Sequence, residues 1–404
     1  MECIGCTLER NLMRSLFCGD DIEVSERMTS IFRGTGGVHK CGKTIQFSDY
    51  IKDALPMNLK CNDKSISVDK ICAIGDIHGD IEAAMECFNL CPCITTQKVS
   101  NEKWMVRWGN KDKNNKDRYA VVQCGDIVDR KRSGGEDTEV EAEEELIIFA
   151  CAMLSVQASC TGTGSFIRLV GNHEIMNLQG QLNYATDMSK KYYDKCCGGR
   201  GQYFTPGQEG AKRLCCYFGT RAVLRIGNFV FMHAGIANRA SHTATRNSLR
   251  NRSGSLADRM NQIVNEFAAG NTSEGELKKV MTYLWDRTQG VEDELSWCST
   301  LQLTLNSFVA ENTRATRSKT NKLNLVLGHC NTAGIRSLCK FEGQNTVHRI
   351  DVAMSRGFDG DHQSCSELCS PERRPQILHI LDQYTGEVDI LKSEGCLMRT
   401  HCNL

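Results

Sequence analysis

Polar side chains that can bind metal ions or carry protons follow short apolar segments at five places in the sequence. They are mainly carboxylates, imidazoles and an amide, and they include four of the ten histidines in the chain. This mixture of oxygen and nitrogen ligands suits a pair of divalent transition metals such as Mn, Fe or Zn. The pattern therefore indicates a metal centre. In chain order, the polar residues at the five places are Asp76, His78, Asp126, Asp129, Arg130, Asn172, His173, Glu174, His233 and His329.

Each of these motifs has an ordinary structural explanation when it is considered alone. A single histidine in "MHAG" is usually a hydrogen-bonded core residue, and an isolated "GDIVD" is usually a solvated turn. Five occurrences of the same arrangement, an apolar segment followed by candidate ligands, would require five independent coincidences. The repetition therefore favours one shared site over unrelated turns.

The apolar segments that precede these residues have the length and the glycine boundaries of buried β-strands. Helical patterns lie between several of them, for instance over 80–90 and 140–157. Alternating strands and helices predict an α/β domain, in which functional groups collect at the carboxyl ends of the strands. Gly171, where one segment ends, is expected to permit a tight turn. The predicted strands are 71–75, 119–125, 166–171, 222–227, 229–235 and 323–329.

The overall composition is that of a globular protein without excess charge. Of 404 residues, 40% are hydrophobic and 24% are charged, and 49 basic side chains balance 49 acidic ones. This balance predicts neither a nucleic-acid partner nor a membrane partner. The start of the chain, "MECIGCTLERNLMRSLF", lacks the apolar core of a signal peptide, and the longest apolar run, "ELIIFACAMLSVQA", is too short to span a bilayer. The expected location is cytoplasmic.

The 23 cysteines are expected to be mostly reduced, buried thiols. Three short motifs, "CIGC" (3–6), "CPC" (91–93) and "CSELC" (365–369), have spacings that zinc sites use. None belongs to a paired CxxC arrangement, which would be the stronger signal. Chance clustering in a cysteine-rich chain is therefore favoured over a structural zinc site.

The order "GDIHGD", "GDIVDR", "GNHE" and two later histidines resembles the phosphoprotein phosphatase branch of the calcineurin-like metallophosphoesterases. Three longer segments, 170–186, 284–287 ("LWDR") and 348–355 ("HRIDVAMS"), are similar to its bacterial-type, Shewanella-like members. The resemblance covers 68–391. It implies a layered α/β/β/α sandwich with central mixed sheets flanked by helices.

The predicted organisation follows from the extent of this resemblance. An N-terminal extension (1–66) precedes a catalytic domain (67–393), and a C-terminal tail (394–404) follows it. Polar insertions are expected within the catalytic domain near 94–118 and 179–215.

Three departures from the family pattern concern turns and a late motif. Lys131 stands where a glycine usually follows "GDxVDR", and Ala234 gives "HAG" where "HGG" is usual. Both positions lie beside candidate ligands without changing their number. The late "SAPNYC" motif of the eukaryotic Ser/Thr phosphatases is absent from the sequence, which argues against an ordinary member of that group.

The resemblance also implies a role for each candidate residue. Two divalent ions would activate a bridging hydroxide for attack on phosphorus, and His173, oriented by Asp129, would protonate the leaving group. Arg130 and Arg287 would hold phosphate oxygens with their planar donors, and Glu174 would fix His173 or its loop. For Arg287 the alternative is a solvated arginine at the end of a helix. The implied metal ligands are Asp76 and His78 for the first ion, Asn172, His233 and His329 for the second, and Asp126 between the two.

The function predicted on this basis is that of a metal-dependent protein phosphatase acting on phospho-Ser/Thr or phospho-Tyr, with phosphorylated proteins or peptides as partners. One alternative is a hydrolase of diadenosine tetraphosphate or of another small phosphoester. "GNHE" rather than "GNHD" (171–174) favours the protein phosphatase by resemblance. A non-catalytic relative that binds phosphoproteins is disfavoured because all six implied ligands and His173 are present.

Overall fold

The computed structural model describes residues 66–100, 103–132, 143–236, 254–290, 295–310, 322–341, 344–358 and 374–393. Apart from residue 66, the predicted N-terminal extension lies outside these ranges, as do the predicted tail and the cysteine motifs at 3–6 and 365–369. The boundaries of the extension and the tail stay predictions from the sequence.

The described residues form twelve strands and nine α-helices. The strands are β1 (Lys70–Ile74), β2 (Ile94–Ser100), β3 (Lys103–Trp108), β4 (Tyr119–Gln123), β5 (Gly164–Arg168), β6 (Val223–Ile226), β7 (Phe229–Met232), β8 (Asn324–Leu327), β9 (Arg336–Phe341), β10 (Gln344–Arg349), β11 (Gln376–Asp382) and β12 (Glu387–Lys392). The helices are α1 (Ile81–Leu90), α2 (Glu143–Thr161), α3 (Asn172–Leu178), α4 (Asp187–Cys197), α5 (Arg200–Tyr203), α6 (Glu209–Cys215), α7 (Leu256–Ala268), α8 (Glu274–Trp285) and α9 (Leu295–Val309).

Two mixed five-stranded sheets carry the predicted strands. The first has the order β12-β11-β1-β4-β5, and the second has the order β6-β7-β8-β10-β9. In the first sheet β1, β4 and β5 are mutually parallel, and in the second β7, β8 and β10 are. Parallel neighbours end at the same edge of a sheet, so each sheet gathers three carboxyl ends. All six strands predicted from the sequence are confirmed, as is the helix-flanked mixed α/β architecture.

The two faces of the first sheet bury different layers, and β1 illustrates how its sequence achieves this. Ile71 and Ala73 belong to an apolar cluster with Phe229, Phe231 and other side chains of the second sheet. Cys72 and Ile74 belong instead to the larger cluster that contains the apolar residues of the helices. Successive residues of a strand point to opposite faces. The fully apolar run "ICAI" therefore reflects a strand covered by sheet on one side and by helices on the other.

The predicted insertions have regular structure of their own. Within 94–118, β2 and β3 pair as an antiparallel hairpin, and residues 110–117 form a largely exposed loop that leads to β4. Within 179–215 lie α4, α5 and α6. The helix α4 is capped at both ends. At the N-terminal cap, the side chain of Thr186 accepts a hydrogen bond from the Ser189 backbone N–H, and at the C-terminal cap Gly198 adopts the left-handed conformation.

Ten cysteines in the described ranges are free thiols, and nine of them are buried. This confirms the expectation of mostly reduced, buried cysteines for this part of the chain. Cys298 of α9 and Cys339 of β9 differ from it, because they form a disulfide with Cα atoms 5.3 Å apart. Cys91 and Cys93 of the "CPC" motif are free, and neither belongs to a metal-ligating group among the described residues. None of the described helices is both long and apolar enough to cross a membrane.

Candidate active site

The loops that follow the parallel strands are joined to one another by backbone hydrogen bonds. The N–H groups of Ile77 and His78 donate to the carbonyl oxygen of Asp126 at 3.0 and 2.8 Å. Across the two sheets, the His329 N–H donates to Asp76 Oδ2 at 3.0 Å. Motifs that are up to 253 residues apart in the chain thus share one network. The candidate residues from all five strand ends lie at this junction of the two sheets.

Several site residues adopt the left-handed backbone conformation that side chains other than glycine rarely take. The φ angles are 48° at His78, 53° at Asp126, 69° at Asp129 and 64° at His329. Each such residue costs of order 1–3 kcal/mol and persists where the surrounding structure fixes it. Their concentration here marks the junction as the functional site, because the turns that aim these side chains inward impose the strained conformation.

Glycines beside the site provide space rather than turn geometry alone. Gly171 has extended backbone with φ −100°, so the expected tight turn is not the reason for a glycine there. A Cβ atom at Gly171 would lie 2.2 Å from Asp126 Oδ1, which excludes any larger residue. Gly125 requires glycine on both counts, because its φ is +93° and a Cβ atom would lie 2.7 Å from the backbone N of Gly171.

The carboxylate of Asp126 lies at the centre of the site. Its Oδ2 is 3.4 Å from His233 Nε2, 3.8 Å from His78 Nε2 and 3.9 Å from His173 Nε2. The two longer separations exceed hydrogen-bond length, but two ligands of one ion, each about 2.0–2.2 Å from it, stand about 3–4 Å apart. In two groups of side chains the candidate ligand atoms all lie within 4.8 Å of one another, namely His78 with Asp126 and His173, and Asp126 with His233 and His329. Asp126 belongs to both.

Buried polar atoms without hydrogen-bond partners provide a further test of whether this site fits cations. Asp76 Oδ1, His329 Nε2 and Asp351 Oδ2 are buried and have no such partner. An unsatisfied buried polar atom costs about 1–3 kcal/mol, so each one requires an explanation. Carboxylate oxygens and imidazole nitrogens are ligands of divalent transition metals. The residues present therefore fit the metal ions that the resemblance implies.

The short contact between Asn172 and His233 also fits a cation. His233 Nδ1 is 2.9 Å from the carbonyl oxygen of Cys124, so we assign a ring proton to Nδ1. Its Nε2 is only 2.8 Å from Asn172 Oδ1. Burial would lower the pKa of His233, but the carboxylate of Asp126 raises it, so the two atoms can share either a proton on Nε2 or a metal ion. This is the position at which both residues were predicted to be ligands.

Burial and neighbouring charges separate the protonation of the histidines. Burial, reinforced by the charge of Arg132, holds the pKa of His78 well below its usual range. Burial and the charge of His233 lower the pKa of His329 to about 3. Both rings are therefore neutral at pH 7 and can donate a lone pair to a metal. Burial alone would lower the pKa of His173, but the carboxylates of Asp126 and Asp129 raise it above 6.5.

Asp129 orients His173 and is itself held by a network of buried polar groups. Its Oδ2 accepts from His173 Nδ1 at 3.0 Å and from Asn177 Nδ2 at 2.8 Å. Its Oδ1 accepts from Arg200 Nη2 at 3.0 Å, and Arg200 Nε donates to Asn177 Oδ1 at 2.9 Å. Arg200 also pairs with Glu144. The predicted pairing of Asp129 with His173 is present, whereas the contribution of Arg200 was missed.

Glu174 joins the second and third motifs through backbone hydrogen bonds. Its Oε2 accepts from the N–H groups of Gly171 at 2.6 Å and Asp126 at 2.8 Å, and its Oε1 accepts from Ile127 at 2.9 Å. The carboxylate is buried, so water cannot replace it as the acceptor for these three N–H groups. Glu174 therefore fixes the loop that aims Asp126 and the start of α3, as the sequence predicted in outline.

We expect Arg200→Ala to lower the free energy of unfolding by about 3–5 kcal/mol, because it leaves the buried carboxylates of Asp129 and Glu144 without their cation. Denaturant unfolding monitored by circular dichroism measures this change. Lys191→Ala on α4 is the matched control, since its side chain is exposed and its loss is expected to change stability by less than about 0.5 kcal/mol. Equal stability of the two variants would contradict a supporting role for Arg200.

We expect Asp129→Asn to move the alkaline limb of the pH–rate profile to lower pH. The folded-state pKa of His173 is raised in part by Asp129, so the protonated ring persists above pH 6.5 in the unaltered protein. Removing this carboxylate lowers that pKa, and the acid form is lost sooner as pH rises. Profiles of kcat/KM for an alkyl phosphate measure the limb. An unmoved limb would show that His173 is not the titrating acid.

The structure directs the guanidinium of Arg130 away from the metal ligands. Arg130 Nη1 pairs with Glu143 at 2.8 Å, and both side chains are almost fully buried. Its direct binding of phosphate stays a prediction from the sequence. Arg132, two residues further on, enters the site instead and places Nη2 3.0 Å from His78 Nδ1. No sequence pattern indicates Arg132, because the direction of each arginine depends on the path of the loop.

Arg287 follows α8 and approaches Cys330, the neighbour of His329 in the chain; its binding of phosphate stays a prediction from the sequence. Its side chain is exposed. Its charge is among the influences that lower the pKa of His329, after burial and His233. The adjoining Asp286 and Gln289 pack against Gly235, where a Cβ atom would lie 2.2 Å from Gln289 Oε1. This contact ties the "LWDR" segment to the "HAG" turn and so to the metal ligands.

Asp351 is a site residue that the sequence reading overlooked. It follows β10, the sixth strand whose carboxyl end meets the junction, and its side chain is fully buried. Burial raises the pKa of Asp351 to about 6, although its Oδ1 accepts a hydrogen bond from the Ala353 backbone N–H. The other five strand ends were identified because an apolar segment precedes their polar residues. β10 has the polar sequence "QNTVHR", so this signal is absent before Asp351.

Comparison with known proteins agrees with this geometry. A sequence model of the calcineurin-like phosphoesterase family matches residues 69–284, more than half of the chain. Shewanella-like protein phosphatase 2 of Arabidopsis thaliana is 23% identical over an alignment of 333 positions, which covers 72% of this chain and 72% of the relative. Shewanella-like protein phosphatase 1 of Plasmodium berghei (strain Anka) is 26% identical over 169 residues, which are 41% of this chain and 39% of the relative.

Solved structures share the fold. A cold-active protein tyrosine phosphatase solved at 1.1 Å superposes with a TM-score of 0.54 and 17% identity over 86% of both chains. The cold-active protein-tyrosine phosphatase of a psychrophilic Shewanella species superposes with a TM-score of 0.53 and 18% identity over 84% of both chains. Together with the match to the family, these findings show that the chain belongs to the calcineurin-like phosphoesterases and is an enzyme of that class, a hydrolase that acts on phosphoesters.

Proposed function

We propose that this chain is a metal-dependent protein phosphatase that hydrolyses phospho-Ser/Thr or phospho-Tyr. The observation that carries the proposal is the carboxylate of Asp126, which is shared by two groups of candidate ligands and lies beside the hydrogen-bonded pair of His173 and Asp129. The names of the Arabidopsis and Plasmodium relatives support the assignment to protein phosphatases.

The metal centre in this proposal holds two divalent ions, of Mn, Fe or Zn. Such ions, when bound, supply a water of lowered pKa and positive charge for the phosphate oxygens. The unsatisfied buried atoms of Asp76 and His329 and the short contact between Asn172 and His233 support these ligands. The proposed set is Asp76 and His78 for one ion, Asn172, His233 and His329 for the other, and Asp126 for both.

His173 could serve as a metal ligand or as a general acid in such a site, and we assign it the role of the acid. Its Nε2 lies among the candidate ligands, 3.9 Å from Asp126 Oδ2, and a metal-bound imidazole would also donate its other nitrogen to a carboxylate. The resemblance and the hydrogen bond from His173 Nδ1 to Asp129 are the grounds for the acid. Against the effect of burial, Asp126 and Asp129 raise the pKa of His173, which agrees with this role. The pKa shifts alone do not divide the roles, because Asp126 also raises the pKa of the proposed ligand His233, whereas that of His78 is lowered.

The reaction that follows from these assignments is hydrolysis of a phosphomonoester. Positive charge at the centre and at Arg287 attracts the phosphoryl oxygens. His173, in its protonated form, gives its proton to the oxygen of the leaving serine, threonine or tyrosine side chain. Asp129, held by Arg200 and Asn177, keeps the ring in place and stabilises its charge.

The proposal is tested by comparing substrates with the purified, Mn-loaded protein. Phosphopeptides carrying phospho-Ser, phospho-Thr or phospho-Tyr are assayed beside p-nitrophenyl phosphate and diadenosine tetraphosphate. We expect release of phosphate from phosphopeptides, and the ratio among the three gives the preferred phosphoresidue. Turnover confined to diadenosine tetraphosphate would instead assign the chain to the hydrolases of small phosphoesters.

A further inference from the structure

We propose that Arg132 binds the phosphoryl group of the substrate, a role that rests on the proposed phosphatase function. Its Nη2 lies 3.0 Å from His78 Nδ1 and 3.1 Å from His78 Nε2. The side chain is half-buried rather than enclosed. It therefore extends along one side of the candidate metal centre and remains open to a ligand that enters from solvent.

Aromatic and backbone contacts fix the guanidinium in this position. Its Cζ lies 4.7 Å from the ring centroid of Phe358 and 5.2 Å from that of Tyr184, both within the range of cation–π attraction. Its Nη1 donates to the carbonyl oxygens of Asp129 and Lys131 at 2.9 Å each. The loop itself is tied down, because the Lys131 N–H donates to the Tyr184 carbonyl oxygen at 2.9 Å. An arginine fixed in this way loses little entropy when it binds an anion.

Three other arginines near the site are paired with carboxylates. Arg130 pairs with Glu143, Arg200 with Asp129 and Glu144, and Arg356 with Asp80. Within the described ranges, no carboxylate is recorded within 4.0 Å of Arg132, and its Nη2 lies beside the imidazole of His78. Metal ions bound at His78 would repel the positive charge of the Arg132 guanidinium. A phosphate anion bound between the metal ions and the guanidinium offsets this repulsion.

The surroundings of Arg132 place it beside the proposed acid. The ring centroids of His78 and His173 are 4.9 Å apart, and those of His173 and Tyr184 are 5.0 Å apart. Arg132 contacts both His78 and Tyr184 and thus borders the same space as His173. A phosphoryl group bound there can present its leaving oxygen to His173 while Arg132 donates two parallel hydrogen bonds to its other oxygens.

The test measures binding of inorganic phosphate to the Mn-loaded protein by calorimetry, which does not depend on turnover. We expect Arg132→Ala to weaken phosphate binding by about 10- to 100-fold and Arg132→Lys to restore part of it, because lysine keeps the charge but lacks the planar pair of donors. Metal content is expected to stay unchanged in both. Lys131→Ala is the matched control, since it removes an exposed charge from the same loop and is expected to leave phosphate binding unaltered.

Three results would overturn the role of Arg132. They are equal phosphate affinity in Arg132→Ala and the unaltered protein, loss of metal from both variants, and an equal effect of Lys131→Ala. Failure of the proposed function has a different signature, namely phosphate binding that depends on Arg132 in a protein that hydrolyses no phosphopeptide.

Discussion

Asp126→Asn is expected to reduce kcat for a phosphopeptide by about 10³-fold or more and to lower the Mn content of the purified protein. The carboxylate belongs to both groups of candidate ligands, so its replacement removes one anionic ligand from each ion. The charge stabilisation that bound ions provide is worth several kcal/mol, and each 1.4 kcal/mol is about tenfold in rate. Steady-state assays together with elemental analysis of the same samples measure both effects.

The environment of Asp126 explains why this substitution acts on chemistry as well as on binding. Burial alone would raise the pKa of Asp126, but His233, His173 and His78 hold it well below its usual range, so the group is ionised. Asparagine keeps the shape and loses this charge. Asp112→Asn in the exposed loop before β4 is the matched control, with unchanged activity and metal content expected. Full activity of Asp126→Asn would refute the shared-carboxylate centre.

His173→Asn is expected to reduce kcat for an alkyl phosphopeptide by about 10²- to 10⁴-fold, the range of general acid catalysis. The loss for p-nitrophenyl phosphate is expected to be much smaller, because p-nitrophenolate departs without a proton. Metal content is expected to stay at the level of the unaltered protein. Parallel kcat measurements on the two substrates, with elemental analysis, separate loss of an acid from loss of a ligand.

A different result would show that His173 is a metal ligand. An equal loss of rate for both substrates, accompanied by loss of one metal ion, would assign His173 to the group formed with His78 and Asp126. That result would move the proton transfer to another residue while leaving the phosphatase proposal in place. The substrate comparison therefore decides between roles that the geometry alone allows.

The sequence predicted the parts of the fold that local pattern determines. Apolar runs such as "ICAI" and "YAVVQ" became buried parallel strands, because few other structures bury four or five consecutive apolar residues bounded by glycine. The convergence of the candidate ligands could be predicted for a related reason. Carboxyl ends of neighbouring parallel strands meet at one edge, so residues at these ends converge even when they are far apart in the chain.

The supporting residues could not be predicted, because they depend on contacts between distant segments. Arg200 reaches Asp129 across 71 positions in the chain, and no local spacing indicates such a pair. Arg130 and Arg132 are both arginines of one loop, and only its three-dimensional path sends the first to Glu143 and the second to His78. Gly171 was predicted correctly as a required glycine for the wrong reason, since the limit is the space beside Asp126.

In the proposed function, two ions held around Asp126 make this chain a protein phosphatase. The most direct test titrates metal-free protein with Mn and measures, at each step, bound metal per chain and phosphate released from a phosphopeptide. We expect turnover to appear as the second ion binds and to be absent in Asp126→Asn. A chain that binds two ions and releases no phosphate from any phosphopeptide, from p-nitrophenyl phosphate or from diadenosine tetraphosphate would contradict the claim and leave a binding protein on a phosphatase scaffold.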